Sequence, residues 1–394
     1  MKIAIFSDAF YPQVNGVVTH ILNIVPLVAK KAEVHLFVPN FNKPYPEKIE
    51  NCFIHYVPSL PLPVYPDFRL TSIYYPGLMD KIKKINPDII HVEAPATLGW
   101  CGVIIAQKLH VPIVGTFHTY FTDPGFLRIM KLDIVGLDKA KWFINALWKY
   151  SNWFYNKAVV TIAPTKLVAN DLIKHKIKSK VEVISVGIDT KPYQQFNNLT
   201  IQQFKEKYIL SLGRIAQGKS LDILVKAFAK ASKDVPDVRL KIAGDGPMLA
   251  ELKNLVKELD IEEKVDFIGF LQRDEKVALF KNATCFISTS ISETFGLTFL
   301  EAMSCGTPVI GARAGGSYEI IKDYGITCEA EDIDAFTEAI IQVCTDEKLH
   351  SELSKKALEG VKPHTVEKTA EKLLELYASV STTSSAPRTS PQLP

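Results

Sequence analysis

The chain alternates short, almost wholly apolar stretches with longer segments in which apolar residues recur at helical spacing. Short apolar runs are typical of buried parallel strands, and the segments between them are typical of helices that cover a sheet. The pattern occurs once in each half of the chain. In the first half it predicts strands at residues 3–6, 32–39, 54–57, 89–92, 113–116 and 159–163. In the second half it predicts strands at residues 208–212, 238–243, 265–267, 283–289 and 308–311.

Strands that alternate with helices predict the α/β class, here two doubly wound, Rossmann-like domains facing a central cleft. A polar stretch rich in Gln and Asn, residues 191–207, predicts a linker between domains at residues 1–190 and 208–360. A last helix, within residues 361–380, is expected to pack back on the first domain. Residues 381–394 are rich in Ser, Thr and Pro and predict a disordered tail.

The composition narrows the class of protein. The 394 residues are 47% hydrophobic and 23% charged, which is typical of a globular chain with room for two domains. A net charge of +3 gives no reason to expect a nucleic-acid partner. The six cysteines show no Cys-x-x-Cys spacing and predict reduced residues of a cytosolic protein. No signal peptide and no apolar run of ~18–20 residues is found, so any membrane contact is expected to be peripheral.

Basic and aromatic side chains are combined in residues 125–180. Three of the four tryptophans lie there, interleaved with lysine and arginine. Such a segment predicts an interfacial helix on an anionic membrane surface. The alternative is an ordinary amphipathic helix that packs on its sheet with its lysines in water. The residues assigned to the membrane and acceptor side are Arg128, Lys131, Lys141, Trp142, Lys149 and Trp153.

Candidate ligand-binding residues follow the predicted strands of the first half, at the edge where doubly wound sheets bind ligands. Gly16 precedes a helix and allows close backbone approach to a phosphate or sugar, with an ordinary glycine turn as the alternative. His118 could hydrogen-bond a sugar hydroxyl, with a structural histidine as the alternative. His91 and Glu93 form a His-x-Glu pattern, which without further ligands predicts no metal site.

The second half carries a basic turn after its first strand. Arg214 and Lys219 in this turn suit a diphosphate, because two fixed cations replace the charge neutralisation that a metal would supply. Solvated surface charges are the alternative. Gly244 opens a Gly-Asp-Gly-Pro turn that lacks the third glycine of a dinucleotide fingerprint. Backbone groups near Gly269 could border a base.

Two glutamates mark the stretch at residues 288–316. Glu293 lies in the turn after a strand and Glu301 lies in the following helix, with seven residues between them. The helix begins at about residue 295, and the backbone N–H groups of its first turn form a ready site for a phosphate. Glu301 lies further down the helix, within reach of a ribose. The stretch therefore predicts a nucleotide-sugar site.

Taken in order, these motifs resemble the family 4 glycosyltransferases, which have the GT-B fold. The resemblance covers the chain up to about residue 380. It rests on E-x7-E at Glu293 and Glu301, on GR-x4-K at residues 213–219, on GDGP at residues 244–247, and on FSDAFYPQVNGVV and GTFHTYF in the first half. The chain departs from the usual pattern at Ser220, where glycine commonly follows the lysine.

The resemblance implies a retaining, metal-independent transfer of a hexose from a nucleotide-sugar donor, without a cofactor. It implies that Arg214 and Lys219 bind the diphosphate and stabilise the leaving group. Glu301 would bind the ribose and Glu293 the donor sugar, and His118 would lie beside the anomeric carbon. The remaining donor-binding positions are Gly16, Gly213, Gly244, Gly269, Phe295, Gly296 and Leu297.

The PQVNGV and TFHTYF sequences are similar to those of bacterial diacylglycerol glucosyltransferases and related lipid mannosyltransferases. We therefore expect a cytoplasmic enzyme at the inner membrane face that transfers glucose from UDP-glucose to diacylglycerol. A GDP-mannose-dependent lipid mannosyltransferase and a family 4 transferase with a soluble acceptor are the alternatives within the family. A sugar-nucleotide-binding protein without turnover and a non-hydride epimerase are alternatives from other classes. The sequence leaves the oligomeric state open.

Overall fold

The computed structural model describes residues 1–62, 65–72, 77–195, 206–271 and 273–383. The chain divides into two compact units. The first unit comprises residues 1–122, 127–187 and the chain from 366 onward, and the second comprises residues 123–126 and 188–365. The chain therefore leaves the first unit after residue 187 and returns to it at residue 366.

Parallel strands form the centre of the first unit. Its strands are β1 (Lys2–Phe6), β2 (Glu33–Pro39), β3 (Cys52–Val57), β4 (Ser59–Leu62), β5 (Tyr65–Thr71), β6 (Ile89–Val92), β7 (Ile113–Thr116), β8 (Val160–Ala163) and β9 (Lys180–Val183). In the described part of the chain, seven of them form a parallel sheet in the order β3-β2-β1-β6-β7-β8-β9. Every residue of β6 and β7 is buried, because packed side chains cover both faces of the sheet. β4 and β5 form a separate antiparallel pair.

Helices connect these strands, and polar side chains cap some of their N-termini. The Asn15 side chain accepts a hydrogen bond from the Val18 amide, and the Thr165 side chain accepts one from the Val168 amide. The helices in this part of the chain are α1 (Gly16–Ala29), α2 (Leu78–Ile85), α3 (Thr97–Leu109), α4 (Pro124–Ile129), α5 (Lys141–Tyr155) and α6 (Lys166–Lys174).

The second unit has its own parallel sheet, formed by β10 (Lys207–Leu212), β11 (Val238–Ala243), β12 (Val265–Gly269), β13 (Cys285–Ser288), β14 (Val309–Ala312) and β15 (Ile326–Cys328). Over the described residues the strand order is β12-β11-β10-β13-β14-β15. Its helices are α7 (Lys191–Gln195), α8 (Leu221–Ala231), α9 (Leu249–Glu258), α10 (Arg273–Asn282), α11 (Leu297–Ser304), α12 (Gly315–Ile321), α13 (Ile333–Thr345) and α14 (Glu347–Val361).

In both sheets the strand order reverses next to the first strand, between β1 and β6 and between β10 and β13. Ligands of doubly wound sheets bind outside the carboxyl ends of the strands at such switch points. The predicted fold class, α/β with two doubly wound Rossmann-like domains, is confirmed.

The last described helix, α15 (Val366–Thr383), belongs to the first unit. It packs against α1, and Val366, Ala370, Leu373 and Tyr377 join the apolar core that contains β1 residues. Their burial makes α15 an integral part of the first unit's core.

Two predicted irregular segments contain helix. Residues 191–195 of the predicted linker form α7, in which Tyr193 is buried, and residues 196–205 lie outside the described residues. The predicted tail begins inside α15, where the hydroxyls of Ser381 and Thr382 donate to the carbonyl of Ala378 and so remain compatible with helix. The rest of that tail, residues 384–394, lies outside the described residues.

Candidate functional site

The loops at the switch point of the second unit carry the predicted diphosphate-binding residues. β10 and β13 are neighbours, and the loop after β10 holds Arg214 and Lys219 while the loop after β13 holds Glu293. These three residues and Gly213 line an open cavity of ≈ 290 Å³, open solvent included. The structure therefore brings together side chains that are far apart in the sequence.

Hydroxyl groups at the end of β13 hold the loop that carries Lys219. The Thr289 hydroxyl lies 3.1 Å from the carbonyl oxygen of Lys219 and 2.8 Å from that of Ser220. The Ser290 hydroxyl donates to the carbonyl oxygen of Gly218 at 3.1 Å. This role was not predicted from the sequence. The repeated hydroxyl residues at the end of β13 are the feature that could have indicated it. The hydroxyls fix the backbone on both sides of Lys219.

Lys219 and Glu293 form an ion pair across the cavity, in which Lys219 Nζ donates to Glu293 Oε1. Both side chains are partly solvated. The backbone of Glu293 is held separately, because the Gly316 amide donates to its carbonyl oxygen at 2.6 Å. A Cβ atom at Gly315 would lie 2.6 Å from the same oxygen, and Gly315 has a φ of +62°. The two glycines that open α12 therefore allow the close approach that positions Glu293.

Glu301 lies on α11 and is buried beside two side chains that the sequence analysis did not identify. Its Oε1 accepts a hydrogen bond from the Tyr193 hydroxyl at 2.9 Å and another from Lys276 Nζ. Burial is the main cause that raises the pKa of Tyr193, and the nearby Glu301 carboxylate raises it further. The hydroxyl therefore keeps its proton and acts as a donor. Tyr193 and Lys276 thus fix the carboxylate that the motif assigns to a ribose.

The turn before α11 offers backbone groups rather than side chains. Gly296 is the N-cap with a φ of +97°, and as a glycine it has no side chain to cap the helix. The Phe295 ring is buried and lies edge-on to the ring of His364, with centroids 5.7 Å apart. Leu297 is the first residue of α11. The first-turn amides that the sequence predicted for phosphate binding are therefore at a helix N-terminus without a side-chain cap.

Three predicted glycines follow adjacent strands of the second sheet. Gly213 follows β10, Gly244 follows β11, and Gly269 ends β12. The Gly213 amide donates to the Ala243 carbonyl at 3.0 Å, and the Gly244 amide donates to the Gly269 carbonyl at 2.7 Å. A Cβ at Gly244 would lie 1.9 Å from the Gly213 carbonyl oxygen. Gly244 is thus required for the packing of one loop against the next.

The predicted residues of the first unit lie around the carboxyl ends of β1, β6 and β7. Gly16 is the exposed first residue of α1, and His20 lies one turn further on. His118 follows β7, and its Nε2 lies 2.6 Å from Oε2 of Glu93, which follows β6. The rings of His20 and His118 have centroids 5.3 Å apart. Burial makes this cluster part of the first unit's interior.

Among the described residues, His20, Glu93 and His118 form a group whose spacing could also hold a metal ion. The sequence indicated only the His-x-Glu pair of His91 and Glu93, and it did not indicate that two further imidazoles lie beside Glu93. No side chain or backbone group of the described residues hydrogen-bonds to Nδ1 of His20.

The electrostatics of this cluster follow from burial and charge. Burial alone would raise the pKa of Glu93, but the neighbouring His91 and the hydrogen bond with His118 outweigh it and lower this pKa to about 2. Burial lowers the pKa of His20 to about 3, and burial also lowers the pKa of His91. The cluster therefore holds one fixed carboxylate beside His118, with His20 neutral.

The basic aromatic segment combines packed and exposed parts. The Trp148 ring stacks on His175 with centroids 3.7 Å apart, and Phe154 and Tyr155 are buried. Trp142 is 68% exposed and Trp153 is 55% exposed. The helix α5 is therefore an amphipathic helix that packs on the core and keeps two tryptophans outside it.

The basic residues of this segment have different environments. Arg128 pairs with the buried Asp138, with Nε 3.2 Å from Oδ2, whereas Lys131, Lys141 and Lys149 are exposed. Over the described residues, no helix is long and apolar enough to cross a membrane.

Comparison with known proteins identifies the family. Residues 14–192 match the family described as Glycosyltransferase Family 4, and residues 196–360 match Glycosyl transferases group 1. The alpha-monoglucosyldiacylglycerol synthase of Streptococcus pneumoniae is 32% identical over 79% of this chain and 70% of that protein. The synthase of the same name from Acholeplasma laidlawii is 27% identical over 96% of each chain. A GDP-mannose-dependent alpha-mannosyltransferase of Corynebacterium glutamicum is 25% identical over 96% of this chain and 89% of that protein.

Solved structures agree on the fold. Sucrose-phosphate synthase from Thermosynechococcus elongatus has a TM-score of 0.74 at 20% identity, with coverage of 97% of this chain and 99% of that chain. Anabaena HepE in complex with UDP and glucose has a TM-score of 0.71 at 18% identity, with coverage of 96% and 100%. The fold is GT-B. The chain is a glycosyltransferase and belongs to glycosyltransferase family 4.

Proposed function

We propose that the chain is a retaining, metal-independent hexosyltransferase that moves glucose from UDP-glucose to diacylglycerol at the cytoplasmic face of the membrane. The main support for a nucleotide-sugar donor is the cavity at the switch point of the second unit, which Arg214, Lys219 and Glu293 line. A site built from two cations suits a diphosphate, and the amides at the start of α11 add further donors for phosphate oxygens.

The donor site works by stabilising the leaving group. In this proposal Arg214 and Lys219 bind the diphosphate and neutralise the charge that develops on it as the bond to the sugar breaks. The donor competes with Glu293 for Lys219, and Glu293 then turns to the hydroxyls of the donor sugar. Two protein cations supply this stabilisation, so the proposed reaction needs no metal ion and no cofactor.

The ribose and the reacting carbon have separate binding groups. Glu301 accepts hydrogen bonds from the ribose hydroxyls, and Tyr193 and Lys276 hold its carboxylate in place. His118 lies beside the anomeric carbon. The acceptor hydroxyl attacks from the face that the diphosphate leaves, which gives retention of configuration.

The lipid acceptor is supported by two independent features. The relatives from Streptococcus pneumoniae and Acholeplasma laidlawii are named as diacylglycerol glycolipid synthases. The exposed tryptophans of α5 and the exposed lysines beside them have the composition of a surface that lies on anionic lipid. The proposed partners are therefore the nucleotide sugar, the lipid acceptor and an anionic membrane surface.

The test is a transfer assay with the full chain and vesicles of anionic phospholipid that contain diacylglycerol. We expect labelled UDP-glucose to give an α-linked glucosyl lipid, with the same rate in EDTA. Arg214→Ala is expected to lower kcat by about 100-fold or more, the range for loss of a group that stabilises developing charge. Arg313→Ala is the matched control, because Arg313 belongs to the same unit and pairs with Glu329 at an exposed position.

Two outcomes would contradict this proposal. Transfer from GDP-mannose but not from UDP-glucose would favour a lipid mannosyltransferase. The Corynebacterium glutamicum relative is named as a GDP-mannose-dependent alpha-mannosyltransferase. Transfer from UDP-glucose to a soluble hydroxyl compound but not to diacylglycerol would leave the donor correct and the acceptor wrong.

A further inference from the structure

The proposed mechanism gives no role to the buried carboxylate of Glu93. Glu93 lies at the end of β6, and its Oε2 is 2.6 Å from Nε2 of His118. The side chains of Glu93 and His118 are 4% and 7% exposed, so water does not compete with this hydrogen bond. A charge-assisted hydrogen bond in such a site is stronger and more directional than one at the surface.

Neighbouring groups hold the backbone of Glu93 and border its side chain. The Glu93 amide donates to the carbonyl oxygen of Phe6 at 3.0 Å, which ties the end of β6 to β1. On the other side, His91 Nδ1 lies 3.8 Å from Glu93 Oε1. His91 is itself held by the Tyr377 hydroxyl at 2.6 Å and by the Thr116 hydroxyl at 2.7 Å.

The charge state of Glu93 determines which nitrogen of His118 carries a proton. A glutamate is ordinarily ionised at neutral pH, and a carboxylate can only accept a hydrogen bond. His118 must therefore donate from Nε2, and the Nδ1 edge of its ring faces away from the carboxylate. A neighbour that fixes one ring nitrogen in this way sets both the tautomer and the orientation of an imidazole.

We propose that Glu93 is a positioning residue for the glycosyl transfer: it locks the His118 ring in one orientation, with the proton on Nε2, so that the other edge of the ring is presented to the donor sugar. This inference rests on the proposed function, in which His118 lies beside the reacting carbon. The His20 ring packs against the same ring, with centroids 5.3 Å apart.

The kinetic test compares Glu93→Gln with a matched control in the vesicle assay. Glu33→Gln removes the carboxylate of an equivalent pair in the same sheet, where Glu33 Oε1 lies 2.8 Å from His35 Nε2. We expect Glu93→Gln to lower kcat by about 10- to 100-fold with little change in the KM for the donor, because a hydrogen bond to a charged group is lost at the reacting centre. Glu33→Gln is expected to leave kcat unchanged.

A double-mutant cycle separates positioning from a structural role. If Glu93 acts through His118, Glu93→Gln has no further effect on kcat in a His118→Ala background. Additive losses in the cycle, or a Glu93→Gln variant as active as the wild type, would overturn the inference. Melting temperatures of the four proteins show whether they are folded.

The tautomer can be measured without any substrate and without the Glu93 variant. In the ¹⁵N spectrum of histidine-labelled wild type, we expect a proton on Nε2 of His118, and His118→Ala assigns the signal. A proton on Nδ1 with a bare Nε2 would overturn the inference. Failure of the proposed function would look different, because the wild type would then be inactive with UDP-glucose and diacylglycerol while the tautomer remained as expected.

A metal bound by His20, Glu93 and His118 is the competing explanation of the cluster. Activity that is lost on chelation and restored by zinc would show such a site and overturn the positioning role. Equal activity in EDTA and in zinc supports the direct hydrogen bond.

Discussion

Glu301 illustrates how a residue's neighbours determine what its motif can do. Its carboxylate is fixed by Tyr193 from α7 and Lys276 from α10, which lie 108 and 25 positions away in the sequence. A carboxylate held by two donors is already oriented before a ribose arrives, so less conformational entropy is lost on binding. We infer that both side chains contribute to donor affinity.

We predict that Tyr193→Phe raises the KM for UDP-glucose by about 2- to 10-fold with a smaller effect on kcat, because one hydrogen bond to Glu301 is lost. Tyr208→Phe is the matched control, since the buried Tyr208 hydroxyl donates to the Leu279 carbonyl at 2.7 Å in the same unit. Steady-state kinetics and calorimetric titration with UDP measure the difference. An unchanged KM for Tyr193→Phe would show that the Tyr193 hydroxyl is dispensable.

The backbone conformation of Ser220 gives the physical reason why this position favours glycine. It has a φ of +48° and a ψ of +39°, in the left-handed region where a side chain is strained by about 1–2 kcal/mol. Glycine, which has no Cβ, would be free of this cost. In this chain the Thr289 hydroxyl lies close to the Ser220 carbonyl oxygen and helps to hold the turn.

At the scale of elements, α5 presents a surface that the core does not use. Trp142, Lys149 and Trp153 are spaced by seven and four residues and therefore share one helix face, which is exposed. The Trp153 ring lies against Trp100, with centroids 4.3 Å apart, whereas Trp142 packs only partly, edge-on to Phe143. Substitution of Trp142 therefore tests a membrane-facing role with less effect on internal packing than substitution of Trp153.

We predict that Trp142→Ala weakens binding to anionic vesicles by about tenfold, because insertion of an exposed tryptophan contributes about 1–2 kcal/mol. Co-sedimentation with vesicles of increasing anionic lipid content measures this. Phe53→Ala is the matched control, since Phe53 is an exposed aromatic residue on the edge strand β3. Equal binding of Trp142→Ala and wild type would show that α5 only covers the core.

The strands that are buried on both sides were all predicted from the sequence, whereas the strands at the sheet edges were predicted only in part. The central strands β1, β6, β7, β10, β11 and β13 were predicted because packing on two faces demands continuous apolar runs. The edge strand β9 reads Lys-Val-Glu-Val and is only partly buried, so it was missed. The helix α14 was missed as well, because its buried stripe is narrow and contains Gly360 beside Leu353, Ala357 and Val361.

Some residues of the candidate site could be predicted from the sequence, and others could not. Glycine turns, the two cations and the two glutamates are local in sequence and could be recognised there. The groups that orient them depend on the folded arrangement: Thr289 lies 70 positions from Lys219, and Glu93 lies 25 positions from His118. Nothing in the local pattern of Glu93 or Tyr193 indicates these partners, so only the structure could assign them.

Across the whole molecule, the tryptophans and one buried titratable histidine, His20, both lie in the first unit. The four tryptophans, Trp100, Trp142, Trp148 and Trp153, all lie in the first unit, so tryptophan fluorescence follows the unfolding of that unit. His20 is buried there, and its pKa is lowered from 6.5 to about 3 by burial. A histidine with a lowered pKa contributes stability that is present above pH 6.5 and is lost as the pH falls toward 3.

We predict that acidification from pH 7.5 to pH 5 removes about 2 kcal/mol of the first unit's unfolding free energy through His20 alone. Asp8 acts in the opposite direction, because burial raises its pKa to about 6 and its protonated form is favoured in the fold. Urea titrations of wild type and His20→Gln at both pH values isolate the His20 contribution, since Gln does not titrate. The same loss of stability in both proteins would contradict the prediction.

The discontinuity of the first unit has a consequence for how the chain is made. Residues 188–365 form most of the second unit, and α15, which completes the core around α1 and β1, follows them. At about 5–20 residues per second, a ribosome needs about 10–40 s to go from residue 188 to the end of α15 at residue 383. During that time the nascent first unit keeps an uncovered apolar face, and the second unit is completed at residue 365, before α15 is made. Translation therefore completes the second unit before the first, although most of the first unit is made earlier. We expect a chaperone at the exit tunnel to bind the incomplete first unit.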